Sequence, residues 1–94
     1  MNQAIIFNDD IHWCKDRQSI VLTAQYSGCL ITCVLSSDYL TKFVSLGTVI
    51  ESLLPQQLVK LTSDNQFDVE EDAQIALEDE RLSDNNELLL TLLD

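Results

Sequence analysis

The residues with the most chemical potential in this chain are few and scattered. His12 and Cys14 stand two apart, so an extended backbone sets both on one face, where they are a candidate pair of metal ligands. Cys29 and Cys33 look like a second pair. On a strand, however, four residues span roughly 13 Å at about 3.3 Å each, and one zinc ion cannot take both sulfurs at about 2.3 Å. Cys33 reads more simply as a core residue. Cys29, beside a turn, is a candidate reactive thiol, with no basic neighbour in sequence to activate it. His12 is the single histidine, so a Cys–His or Ser–His–acid set rests on spatial adjacency that spacing does not supply.

A third group is acidic. Asp68, Glu71 and Asp72 fall at i, i+3 and i+4, which gathers three carboxylates on one side of a helix. Such a group could hold a divalent cation or act as an acid–base pair, although a solvated helix face is the simpler and preferred explanation. The segment from Asp64 is not an EF-hand loop, because Val69 stands where the sharp turn needs glycine. Only two glycines occur, Gly28 and Gly47, which rules out a glycine-rich phosphate loop. No catalytic residue, cofactor or metal ligand is therefore assigned. The candidate interaction surface is the acidic set Asp68, Glu71, Asp72, Glu78 and Asp79.

Charge sharpens that choice. The 94 residues carry a net charge of −11. Residues 1–63 hold five acids and four bases, whereas residues 64–94 hold eleven acids and a single base, Arg81. Such a surface repels phosphate backbones and anionic lipid headgroups, so neither nucleic acid nor a membrane is expected as a partner. A basic protein is compatible with it. The opening residues lack a basic segment leading into a long apolar one, and the chain has no run of about 20 apolar residues. With three cysteines, an odd number, these features predict a cytoplasmic location.

The elements that must position these residues follow from periodicity. Ala4 to Phe7 is a short apolar run closed by Asn8-Asp9-Asp10, and Ile11 to Cys14 is a second short extended piece with Ile11 and Trp13 on one face. Trp13 is read as an anchor in the core or as part of an interface. From Ser19 to Gln25 apolar residues alternate, with Val21 the exception, and Cys29 to Leu35 alternates again. A two-residue loop at Ser27-Gly28 would set Tyr26 opposite Cys29, Ala24 opposite Ile31, Leu22 opposite Cys33 and Ile20 opposite Leu35. Every pair then shares one apolar face. A slip of one residue would oppose that face to Leu30, Thr32 and Val34, a poorer match.

Ser36-Ser37-Asp38 marks a helix start, followed by Tyr39, Leu40, Phe43 and Leu46 at helical spacing, with Gly47 as the expected cap. Thr48 to Glu51 and Ser63 to Gln66 have capping-box spacing, and Pro55 suits the first position of a helix. The pattern beyond it fits two helices, about 55–62 and 66–82, or one bent helix. Val69, Ala73, Ala76 and Leu77 form its narrow apolar stripe. Glu87 to Leu93 follows a turn-rich linker and reads as a strand returning to the sheet beside the hairpin, although its leucines would also suit a helix. The expected fold is one α+β domain over residues 1–94: an N-terminal antiparallel sheet, a helical middle, an acidic C-terminal helix and a final strand.

Several blocks resemble the small bacterial proteins grouped as domain of unknown function 1488. They are Asn2-Gln3-Ala4-Ile5-Ile6-Phe7 with Trp13, Arg17 through Ala24-Gln25 to Gly28, Leu30-Ile31-Thr32-Cys33, and Phe67-Asp68-Val69-Glu70-Glu71 running on to Glu78-Asp79-Glu80. The resemblance implies a small α+β fold with a long C-terminal helix. Residues 44–66 match the pattern poorly. It implies no activity and transfers no catalytic residue. The functional expectation is a non-enzymatic domain acting through contacts with a protein partner or with a second copy of itself. The alternatives are an acidic mimic of nucleic acid that binds a basic protein, and a small enzyme or metal site built on His12, Cys14 and the carboxylates.

Overall fold

The computed structural model describes residues 5–44 and 47–91. Five strands and three α-helices are found among them. The strands are β1 (Ile6–Phe7), β2 (His12–Cys14), β3 (Ser19–Tyr26), β4 (Cys29–Ser36) and β5 (Glu87–Leu90), and the helices are α1 (Ser37–Leu40), α2 (Pro55–Asp64) and α3 (Gln66–Glu78). The architecture is α+β, as expected.

The hairpin forms in the predicted register. Tyr26 pairs with Cys29, Ala24 with Ile31, Leu22 with Cys33 and Ile20 with Leu35. Ser27 and Gly28 both take positive φ, +54° and +78°, as a two-residue turn between twisted strands requires. The alternation drives this pairing: Ile20, Leu22, Ala24, Ile31, Cys33 and Leu35 are all buried on one face. The sheet order is β1-β3-β4-β5, with β2 also paired to β3. The strand β5 returns beside the hairpin, but it runs parallel to β4 with Leu88 opposite Cys33, so the sheet is mixed. The three intervening α-helices carry the chain back along the sheet, which a parallel neighbour needs.

β1 and β2 line the same edge of β3, joined by residues 8–11, of which Asn8 still donates its amide to the Thr23 carbonyl at 3.0 Å. The Asp10 side chain fills the gap: its Oδ1 accepts the Thr23 amide at 2.8 Å, and its Oδ2 accepts the Thr23 hydroxyl at 2.6 Å. A side chain thus supplies the acceptor that a continuous strand would have offered. Ile11 and Trp13 pack against the core, so Trp13 acts as an anchor.

The helices cover one face of the sheet. Leu58 and Thr62 of α2, and Val69, Ala73, Ala76 and Leu77 of α3, are buried against it, completing a two-layer domain. On the other face a row runs across four strands: His12, Val21, Val34 and Leu89. Val21, which breaks the alternation in sequence, belongs to this row.

The middle of the chain departs from expectation. Ser36 caps α1, its hydroxyl accepting the Tyr39 amide at 3.1 Å. The helix then tightens into a 3-10 turn over Thr41–Phe43 and ends with Val44 extended. Tyr39 and Leu40 reach the core within that first turn, and β-branched Thr41 and Val44 add little helical preference. Leu46 lies outside the described residues. Gly47 has a positive φ of +91°, but in a turn beyond the helix rather than as its cap. Ile50–Ser52 is a 3-10 turn with no side-chain cap, so the Thr48–Glu51 box does not form.

Pro55 opens α2 as predicted, with the Leu54 amide donating to Gln57 Oε1 at 2.7 Å. α2 and α3 are separate, broken at one residue, Asn65, where φ is −112° and ψ 27°. Its amide side chain donates to the Leu61 carbonyl at 2.9 Å. Ser63 remains inside α2, so the Ser63–Gln66 box does not form either. α3 stops at Glu78, short of residue 82, because Glu80 takes a left-handed φ of +58°. β5 ends at Leu90; Leu92 and Leu93 lie outside the described residues. Among the described residues no helix is long and apolar enough to cross a membrane.

Candidate functional site

The acidic set lies where the helical spacing puts it. Asp68, Glu71, Asp72, Ile75 and Glu78 follow at steps of three and four along α3, and Asp79 caps its end, so they share one side away from the buried stripe. Asp68, Glu71, Glu78 and Asp79 are exposed. Among them stand two exposed apolar side chains: Ile75 at 51% and, on the neighbouring flank, Phe67 at 85%. Sequence reading passed over Phe67, whose isolation within an acidic helix was the available signal.

Asp72 does different work. Its Oδ2 accepts the Tyr39 phenol and the Lys42 ammonium, each at 2.6 Å. Lys42 also sits over the Tyr39 ring, 5.2 Å from its centre, while Tyr39 meets Phe43 edge-on. Burial, the hydrogen bond to the Asp72 carboxylate and the negative charges of Asp72 and Asp68 all push the Tyr39 phenol well above its ordinary value. The phenol is therefore held protonated as a donor. This group faces a cleft of about 230 Å³, lined also by Ile75, Ala76, Arg81, Leu90 and Thr91. The elements α1, α3, β5 and the connection between the last two all contribute to it, so spacing in sequence gave no sign of it.

The other candidates stay apart. His12 lies on the outer face of the sheet, Nδ1 2.9 Å from the Asp10 carbonyl, with Cys14 two residues on in β2. Cys29 is exposed at the hairpin turn, and Cys33 is buried under the helices. Burial pushes the Cys33 thiol up to about 12, which keeps it protonated and inert. Among the described residues no three His, Cys, Asp or Glu side chains are placed to hold one metal ion. Asp10 titrates low. Partial burial works against this, but the hydroxyl and amide of Thr23, its own amide and the neighbouring His12 outweigh it.

Comparison with known proteins agrees with the fold. No curated protein matches the chain. A crystal structure of a protein of unknown function from the DUF1488 family of Shewanella loihica PV-4 is 26% identical, with a TM-score of 0.79 over 100% of this chain and 99% of that one. The sequence also matches the family described as protein of unknown function, DUF1488, over residues 5–90. The chain thus belongs to the DUF1488 family, whose description assigns no function.

Proposed function

We propose that this protein is a non-enzymatic binding domain of the cytoplasm that docks a basic, amphipathic protein segment on the outer side of α3. The observation that carries this reading is Phe67, an aromatic ring 85% exposed on a helix whose exposed side bears Asp68, Glu71, Glu78 and Asp79. Aromatic side chains are typical anchors of protein interfaces, and the surrounding carboxylates select and steer a cationic partner. Glu78 and Asp79 stand at the C-terminal end of the helix, where its dipole disfavours negative charge and no basic side chain lies in the last turn. Asp79 has Arg81 as an ion-pair partner at 3.5 Å, so it is the Glu78 carboxylate that a cationic partner would relieve.

The apolar anchors favour a protein partner over mimicry of a phosphate backbone, which has no apolar counterpart. A second copy docked on the same helix would set carboxylates against carboxylates, so the partner is a different chain. The three free thiols suit a reducing compartment.

Titration with an amphipathic helical peptide rich in lysine and arginine, followed by backbone amide NMR, tests the reading. Shifts are expected along residues 67–79, with affinity falling as salt rises. Phe67→Ala should weaken binding about tenfold or more, on the scale of an interface anchor. Binding that ignores Phe67→Ala, or that shifts residues elsewhere, would overturn it.

A further inference from the structure

The face of the sheet that the helices leave open differs from the rest of the surface in charge and in apolar content. Among the described residues, Glu87 is the one acidic or basic strand residue that alternation turns toward it, and Arg17 pairs with it. Asp10 reaches this face from the β1–β2 connection, but both its oxygens are taken by Thr23. One base and two acids leave the face at −1, in a chain of −11. Ile6, Leu30 and Leu89 point outward from it, 63%, 59% and 49% exposed. Val21 and Val34 stand in the row of Leu89 and are buried. β5 pairs parallel with β4, and its leucines at 88, 89 and 90 make it apolar on both faces. Parallel strands with such continuous apolar runs are covered on both sides, whereas a half-solvated strand alternates apolar with polar. Leu88 and Leu90 are buried, but Leu89 has no such cover among the described residues.

We infer that a second copy of this chain docks on the open face of the sheet, face to face about a two-fold axis and independently of any partner on α3. The distribution of charge selects that occupant. Two copies repel each other through their acidic C-terminal thirds, so their open faces are where they approach with least repulsion. A two-fold contact is made by the same patch on both copies, so its groups must suit their own kind. Ile6, Leu30 and Leu89 do, and so do Thr23, Gln25 and Thr32, whose hydroxyls and amide both donate and accept hydrogen bonds. A cationic partner finds carboxylates here that are already paired or hydrogen-bonded, and the net charge repels anionic lipid. Four strands at about 4.8 Å and eight residues at about 3.3 Å give a contact of roughly 500 Å² per copy. Twice that lies at the low end of specific interfaces, ~1,000 Å² in total, so the dimer is weak and forms as protein concentration rises.

Sedimentation equilibrium of the full chain up to about 1 mM, a range that reaches a weak interface of this size, is the first test. The mass should climb from 10.6 kDa toward its double. Association should tighten as salt rises, because salt screens the repulsion between like-charged copies; docking of a basic segment on α3 responds in the opposite sense. In a mixture of isotope-labelled and unlabelled chains, filtered NOEs between copies should join the methyl groups of Ile6, Leu30 and Leu89. Leu30→Asp and Leu89→Asp should each weaken the dimer about tenfold or more, the scale of an interface anchor. Leu54→Asp, an equal change at an exposed position that opens α2, should leave it unchanged. Amide spectra check that each variant is folded, and the NOEs on the unaltered chain decide should one fail to fold. A monomeric mass throughout, contacts between copies confined to other residues, or equal weakening by Leu54→Asp would each overturn the inference. So would binding of this face to neutral phosphatidylcholine vesicles in place of self-association.

Discussion

Arg17 and Glu87, seventy positions apart in sequence, meet side chain to side chain at 2.5 Å on the face of the sheet that the helices leave open. Arg17 precedes β3 by two residues and Glu87 opens β5, so the pair spans β4, the strand between them. The hydrogen bond from Arg17 holds the Glu87 carboxyl below its ordinary value of 4.5, against a smaller opposing effect of burial. A depressed folded value means the contribution is present above 4.5 and is lost as pH falls through the folded value. Urea midpoints of the protein and of Glu87→Gln should therefore differ near neutrality and converge on acidification. A gap that persists at low pH would show that the pair is not its source.

Leu88 and Leu89 are adjacent but face opposite ways, 0% and 49% exposed. Leu88→Ala should cost about 2–5 kcal/mol, because it empties a site enclosed between β4 and the helices. Leu89→Ala should cost about 0.5 kcal/mol or less, as an exposed substitution. Chemical denaturation of the two variants measures the contrast.

The Tyr39 phenol donates to Asp72 and links α1 to α3. Tyr39→Phe should destabilise the fold by about 1–2 kcal/mol, the low end for a hydrogen bond to a charged, partly exposed group. Because the folded phenol value is raised, its contribution is complete below the ordinary tyrosine value of 10.0 and fades as pH climbs above it. In an alkaline absorbance titration, the Tyr39 share of the tyrosinate band should appear only as the protein unfolds. Its appearance in the folded state would contradict this.

Cys29 and Cys33 share β4 and should differ sharply in reactivity. A water-soluble disulfide reagent should modify exposed Cys29 in the folded protein and reach buried Cys33 only with denaturant. Mass mapping of the modified peptides distinguishes them. Equal labelling of both in the native state would mean that the sheet opens far more readily than its packing implies.

Where interactions are local, the chain could be read directly. The alternation in Ser19–Leu35 allows one register that buries Ile20, Leu22, Ala24, Ile31, Cys33 and Leu35 together, and β3 and β4 adopt it. Helical spacing likewise identified Val69, Ala73, Ala76 and Leu77 as the buried stripe of α3 and the carboxylates as its exposed side. Signals that rest on a single cap were weaker. Gly47 and the two capping-box spacings were overruled, because Tyr39 and Leu40 are satisfied within one turn and Asn65, not Ser63, breaks the helices apart.

What depended on distance along the chain was not legible. That Asp72 leaves the acidic face for Lys42 and Tyr39, thirty and thirty-three residues away, follows from how α3 lies against α1. That β5 runs parallel to β4, bringing Leu90 and Thr91 to the same cleft as Arg81, follows from the path of the helices across the sheet. The α+β class, the hairpin register and the acidity of the C-terminal third are legible in the chain, because periodicity and charge are properties of neighbours. Which of those charges meet is set by the packing of segments that lie far apart along the chain.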